Sequence, residues 1–443
     1  MTIKENEIFD TVIIGGGIAG LTAANELKKS NILVLEKEEE CGGRTLSYKF
    51  GDYIFNSGAQ VVLGKATKEL AKKLNVTLTL INKKIIPLSF NNKIIKAQTQ
   101  IGFLLSLPLN LQDKIKLAKM ILLIRYKYGS WFKKELDLFD PRLNILFNST
   151  LEDLFGSFSS IPLKNFWDGL SRGSNTVKTN ECAAFQIVDT FLCFAHKEYF
   201  VEGGTGNLTK ALWDQVKDST ITSAKVTKII QNEKNVEITF NFKGSQKIVK
   251  ARRCVIAIPA PLILSITNNL PLLKQKVLSK FVYGSYTVAG FLLDQQTKYY
   301  LDKGIWRIPV IGNENLISIT DPTFTYSESY KKKSGQGLLR VYTGNESSKK
   351  LQGLSDDEAL SILIKELVSI FPNIKKHIIK SSLRHWEHAI YYIKTGDLEY
   401  MQQVKLPVDK IHFCGDYTIH AGLEAAVNSG YRVAKEVLKD EKN

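Results

Sequence analysis

The chain has 443 residues, 44% of them hydrophobic, with 60 Lys and Arg against 44 Asp and Glu and a formal net charge of +16. That length exceeds one ordinary core and points to two domains, and the hydrophobic share excludes a disordered chain. The polar start MTIKENEIFD is unlike a signal peptide, and the longest apolar run, 101–109, falls short of the about 18 residues of a membrane span.

Residues 10–14 read as a buried strand, and 18–29 as a helix whose Ala19, Gly20, Ala23 and Ala24 allow close packing. NILVLE (31–36) is a second strand, so the chain opens as a β-α-β unit. A polar glycine turn, CGGRTLS, leads into YIFNSGAQ (53–60), a helix over 65–74 and short strand-like pieces over 83–95. From 101 to 198 the chain reads mainly as helices and loops, and a helix over 206–216 follows VEGGTGN. AKVTKIIQ, NVEITFNF, QKIVKA and RCVIAIP read as four strands within 219–258. Residues 282–343 are strand-rich, 356–370 form a helix, and the chain closes with a strand (409–414) and a helix (422–438). The order predicts one α/β domain assembled from three separated segments, with a second domain inserted between them.

Gly15, Gly17 and Gly20 follow a strand and open a helix, the context a dinucleotide motif requires. The first permits the tight turn, the second lets backbone approach a pyrophosphate, and the third brings helix and strand together. The helix N-terminus, with Ile18 and Ala19, offers N–H groups to the phosphates. Glu36 ends the next strand, where an acid binds the hydroxyls of an unphosphorylated ribose, as in FAD or NAD. Downstream, Gly42, Gly43, Arg44 and Thr45 bring a second glycine loop and a cation able to pair with phosphate, which a nicotinamide enzyme does not need.

With Gly15-x-Gly17-x-x-Gly20, Glu36 and Gly42-Gly43-Arg44 in place, the sequence resembles the flavoproteins that include monoamine oxidases, protoporphyrinogen oxidases and carotenoid desaturases. The block 409–434 strengthens the resemblance: Gly415 and Asp416 match the family's strand-end pair, and Asp416 would accept from a ribityl hydroxyl. Gly422, Leu423 and Ala426 match the start of a helix whose N–H groups would face the N1/O2 edge of the flavin. Val226 matches a strand position whose backbone would meet the adenine, and Lys37, Gly58, Ala59 and Gln60 complete the expected cofactor set. The implied fold is α/β + α+β: a Rossmann-like FAD-binding domain of three segments (1–85, 199–280 and 384–443) and a substrate-binding domain of mixed sheet plus helices (86–198 and 281–383).

For the substrate region the resemblance implies less. Amine oxidases of the family often carry a lysine near the flavin, and Val288 aligns there; Ile390 and Gly422 align with their two framing aromatics. Ala389 aligns with the cysteine that attaches flavin in some members, so FAD is expected to be non-covalent. RHWEHAIYYIKTGDLEYM (384–401) resembles a run of protoporphyrinogen oxidases, with Trp386, Tyr391 and Tyr392 as candidates for the substrate face, although buried Trp and Tyr are commonly structural. His385 and His388 could titrate near neutrality or be structural, no catalytic base is named, and no metal set is evident.

The expected activity is therefore removal of hydride from a C–N or C–C bond of a largely apolar organic substrate, with O2 or a quinone as electron acceptor. Alternatives are an amine or amino-acid oxidase, a non-redox flavin-binding protein, or an NAD-dependent dehydrogenase. Five cysteines, Cys41, Cys182, Cys193, Cys254 and Cys414, without a CxxC pair point to a reducing, cytoplasmic setting rather than to disulfides or zinc. The basic charge is read as solvated surface lysine, and no nucleic-acid partner is expected. In 101–132 apolar residues recur at helical spacing with lysines between them, which reads either as a helical cap over the substrate cavity or as a peripheral contact with the inner face of a membrane.

Overall fold

The opening apolar run forms the strand Ile8–Ile14, whose Val12, Ile13 and Ile14 are buried, as a strand covered on both faces requires. In the computed structural model, which describes residues 7–82, 85–132, 140–193, 197–267, 269–302 and 304–440, this strand lies within a seven-stranded sheet. Residues 83–84 of the expected strand-like stretch, and 133–139 and 194–196 of the expected helical region, lie outside the described residues. Neighbours in the sheet run Thr220–Ile221, Ile32–Leu35, Ile8–Ile14, Ser245–Ile256, Val236–Phe242 and Lys225–Gln231, with Ile411–Phe413 paired to Ser245–Ile256.

Ile14 pairs in parallel with Leu35 and Ile256, and Ile256 with Phe413. Strands from three distant segments thus end at one level, and a crevice at such carboxyl ends is where open α/β sheets hold ligands. The expected strands QKIVKA and RCVIAIP are one strand, Ser245–Ile256. Its first half forms a hairpin with Val236–Phe242 and its second half enters the parallel core, with no turn residue between them to break it.

The opening helix Ile18–Leu27 packs against the closing helix Leu423–Asp440. Gly430 allows the approach: a Cβ there would lie 2.6 Å from the Ala19 carbonyl oxygen. Helix Lys65–Lys73 has no side-chain cap of its own, and Glu424 supplies one from the closing helix. Its carboxylate accepts from the Ala66 N–H (2.7 Å), the Thr67 N–H (2.9 Å) and the Thr67 hydroxyl (2.6 Å). Glu424→Ala is expected to cost about 2 kcal/mol, visible as a lower denaturant midpoint at unchanged slope, because it strips a charged acceptor from an otherwise uncapped helix end.

A second seven-stranded sheet runs Ile378–Tyr392, Val282–Leu293, Gly337–Gly344, Ser318–Thr320, Arg307–Ile311, Ile86–Phe90 and Lys93–Ala97. The expected domain boundary at 384 falls inside the continuous strand Ile378–Tyr392, which pairs with Val282–Leu293 along its length. Residues 384–392 therefore sit on the second sheet although the chain beyond them returns to the first. Helix Ile161–Asn175 lies on this sheet, with Gly169 close against Ile311. Further out are Gln100–Ser106 and Leu111–Leu122, which continues into a π-helical turn, Leu123–Lys127. Among the described residues no helix is long and apolar enough to cross a membrane.

Candidate active site

The carboxyl ends of the parallel strands open onto a cavity of about 880 Å³ that continues to the face of the second sheet. Gly15 adopts φ +104°, which favours glycine, and turns the chain from strand to helix. Gly17 is the helix N-cap with no side-chain cap, and a Cβ built on it meets nothing within 4 Å. Bare backbone and free helix N–H groups thus face the cavity. Gly20 does not line it: a Cβ there would collide with the Gly15 carbonyl oxygen, so this glycine sets the helix against the strand.

Glu36 lines the cavity and accepts from the N–H of Gly16 (2.6 Å) and of Glu38 (2.9 Å). Burial pushes its carboxyl above the usual range, against the pull of those two hydrogen bonds. Each oxygen keeps a lone pair for a further donor. Beside it, Val226 lines the cavity at a β-bulge, where the register shifts between Val226 and Lys228 and backbone is left unpaired.

Arg44 reaches the Asp416 carboxylate through both terminal nitrogens (3.1 and 3.0 Å) and donates to the Ala389 carbonyl oxygen (2.7 Å). The arginine expected on phosphate is thereby committed mainly to a fork across 372 residues of chain, with the remaining N–H groups left for a ligand. Asp416 also accepts from the Tyr417 N–H (3.1 Å). Gly422, at φ +117°, precedes the closing helix, and a Cβ there meets nothing within 4 Å. Two helix N-termini therefore face one elongated cavity lined also by Ile18, Ala19, Lys37, Gly43, Thr45, Gly58, Ala59, Gln60, Gly415, Leu423 and Ala426. The Gln60 amide nitrogen is buried and without a hydrogen-bond partner among the described residues. Uncapped helix ends, open glycine positions, a strand-end carboxylate and an orphaned amide fit a dinucleotide with a polar ring system.

Beyond the glycines the cavity meets the second sheet. Tyr286, Val288 and the glycines Gly284 and Gly290 share one face of Val282–Leu293 by strand alternation. Val288 is opposite Tyr342 on one neighbour and Arg384 on the other, and Tyr286 is opposite Trp386. The floor is anchored by hydrogen bonds from Trp386 Nε1 to the Ser57 carbonyl (2.6 Å), from the Tyr342 hydroxyl to Gly58 (3.2 Å) and from the Tyr286 hydroxyl to Gly173 (3.3 Å). Arg384 covers the Trp386 ring at 4.8 Å. Arg307, Trp306, Ser318, Thr320 and Asn175 complete this part of the lining.

Tyr391 and Tyr392 are not on this floor. Tyr391 is buried behind the strand, with Phe281 (5.8 Å) and Tyr283 (6.0 Å) as ring neighbours, and Tyr392 borders a separate small pocket. Tyr391 backs the turn at Asp416 through Phe281, whose ring also meets Tyr417 (5.7 Å), whereas Tyr392 lies beside Glu181 and Cys182. His385 and His388 do line the cavity. His385 is tied by Nδ1 to the Thr287 hydroxyl (2.8 Å), and burial lowers both imidazoles below their usual range. Sequence reading missed Tyr286, Trp306, Arg307 and Tyr342. The pattern Gly284-x-Tyr286-x-Val288-x-Gly290 was the available signal for the first, since the glycines make room for Thr176 and Phe55 on the same face.

Residues 18–438 match the family described as flavin containing amine oxidoreductase. An L-amino-acid oxidase of Bothrops moojeni is 23% identical over 96% of this chain and 88% of its own. Putrescine oxidase, solved with putrescine bound, superposes with a TM-score of 0.81 at 18% identity, over 98% of this chain and 99% of its own. A protein from Exiguobacterium assigned as a protoporphyrinogen oxidase superposes with a TM-score of 0.74 at 15% identity, over 97% and 98%. With its glycine cradle, strand-end carboxylate and two-sheet architecture, the chain belongs to the flavin-containing amine oxidoreductase family and is an FAD-dependent oxidoreductase.

Proposed function

We propose that the protein removes hydride from a C–N or C–C bond of a largely apolar organic substrate laid on the floor of the second sheet. The observation that carries it is the composition of that floor, walled by Tyr286, Val288, Trp306, Tyr342 and Trp386. The lysines in the lining, Lys37 and Lys225, are sequence neighbours of Glu36 and Val226 instead. Bound FAD supplies the two-electron acceptor, so hydride removal asks the chain chiefly to bind and orient. Trp386, Tyr342 and Tyr286 do this as rings held by fixed backbone acceptors, and they exclude water from the face they cover. Glu36 would hold the ribose, and the two helix N-termini would hold the negative charge of the cofactor. Ala389 offers no thiol, which supports non-covalent attachment, and O2 or a quinone would reoxidise the enzyme. The five cysteines are all free, which supports a reducing, cytoplasmic setting.

A second reading, oxidation of an amine or amino acid, is favoured by Arg307. It lines the same wall and donates to the Ser318 hydroxyl (3.3 Å) and the Gly173 carbonyl (3.4 Å), and a guanidinium there suits a substrate carboxylate. Anaerobic mixing with porphyrinogens, polyenes, amines and amino acids, followed at the visible flavin band, separates the two. Bleaching by a porphyrinogen or polyene is expected. Bleaching by amines or amino acids alone would establish the second reading, and no bleaching by any class would overturn both.

A further inference from the structure

We propose that the face formed by Gln100–Ser106, Leu111–Leu122 and the π-helical turn Leu123–Lys127 docks on the surface of an anionic lipid bilayer. An amphipathic helix on a protein normally spends its apolar residues on the interior and shows polar ones to water. Here the interior is already served by Leu117, Met120 and Ile124, all buried. A second apolar set, Ile101, Leu105, Leu111, Ile115, Leu122 and Tyr126, stays outside with between 48% and 76% of each residue exposed. Leu111, Ile115, Leu122 and Tyr126 are spaced by four or seven residues, so they form one ridge along the outer face. So long a contiguous apolar ridge marks an interaction surface rather than scattered exposure.

Charge selects the occupant. Between residues 98 and 132 the cations are Lys114, Lys116, Lys119, Arg125 and Lys127, and Asp113 is the sole acid. Asp113 is fully buried, its carboxylate accepting from the hydroxyls of Ser159 and Ser160, so it does not offset the surface cations. Lys119 and Lys127 are exposed beside the ridge. A second copy of the chain would set this basic rim against itself. A nucleic acid would satisfy the cations and leave the ridge wet. An interface of acyl chains beneath anionic headgroups satisfies both at once. The face also adjoins the cavity wall: Gly129 abuts Leu192, in the helix Ala184–Cys193 whose Asp189, Thr190 and Cys193 line the cavity.

Flotation of the full flavin-loaded chain with phosphatidylcholine vesicles, with and without phosphatidylserine, tests this. Binding is expected to be roughly tenfold or more stronger with phosphatidylserine and to weaken in high salt. Leu122→Glu with Tyr126→Glu is expected to lower binding by roughly tenfold or more at unchanged flavin content and melting temperature. Lys119→Gln with Lys127→Gln is expected to remove most of the preference for phosphatidylserine while keeping the fold. Failure of the folded wild type to bind phosphatidylserine vesicles overturns the proposal, as does wild-type binding by the glutamate variant. A dimer in solution that the glutamate variant dissolves overturns it too, by assigning the ridge to a second copy.

Discussion

Gly17→Val is expected to give a folded, stable protein that purifies without flavin. The backbone at Gly17 has φ −75° and ψ 174°, which valine adopts without strain, and a Cβ there meets nothing within 4 Å. The stability cost should stay within about 1 kcal/mol, because the helix has no side-chain cap to lose. The isopropyl group would instead fill the space over the helix N-terminus, where a pyrophosphate must approach backbone. The flavin-to-protein absorbance ratio after desalting should fall by roughly tenfold or more. Gly20→Val is the contrast: its Cβ meets the Gly15 carbonyl, so that variant should lose fold and flavin together. Full flavin content in a folded Gly17→Val protein would mean that no phosphate lies across this turn.

Arg44→Met is expected to lower stability by about 3 kcal/mol, the lower end of the cost of stranding one partner of a buried ion pair. Asp416 is the stranded group, with a side chain 3% exposed, whereas Arg44 is 32% exposed and partly solvated already. The Ala389 carbonyl also loses its donor. A paired change, Arg44→Met with Asp416→Leu, should recover most of that stability, since two matched apolar groups can replace a buried pair at little net cost. It should not recover flavin, because the guanidinium and the carboxylate are both polar contacts at the cavity. Urea midpoints read the first effect and flavin content the second. A single variant as stable as wild type would show that the fork across the two chain segments contributes nothing.

Local chemistry was legible and long-range pairing was not. The β-α-β opening, the glycine turn and Glu36 lie within residues 8–36, where strand pattern, helix pattern and turn residues agree. The closing strand and helix were legible for the same reason. The Arg44–Asp416 fork and the Glu424 cap join residues 372 and about 358 positions apart, and no periodicity encodes such a meeting. The strand Ile378–Tyr392 was not legible in sequence, because its polar stretch Arg384–His388 lacks a strand pattern of its own and its partner Val282–Leu293 is remote in the chain. That register, not the residue types, puts Trp386 on the floor and Tyr391 behind it. The segment 101–132 was legible as amphipathic, but only the tertiary packing shows that its apolar residues cover two faces.

Acid precipitation of the yellow protein, with mass analysis of what stays in solution and what pellets, tests the central claim most directly. Stoichiometric FAD in the supernatant is the expected result, since Glu36, Gly17 and Gly422 line one cavity and Ala389 offers no thiol for attachment. FMN in place of FAD, flavin retained covalently in the pellet, or no flavin at all would contradict it.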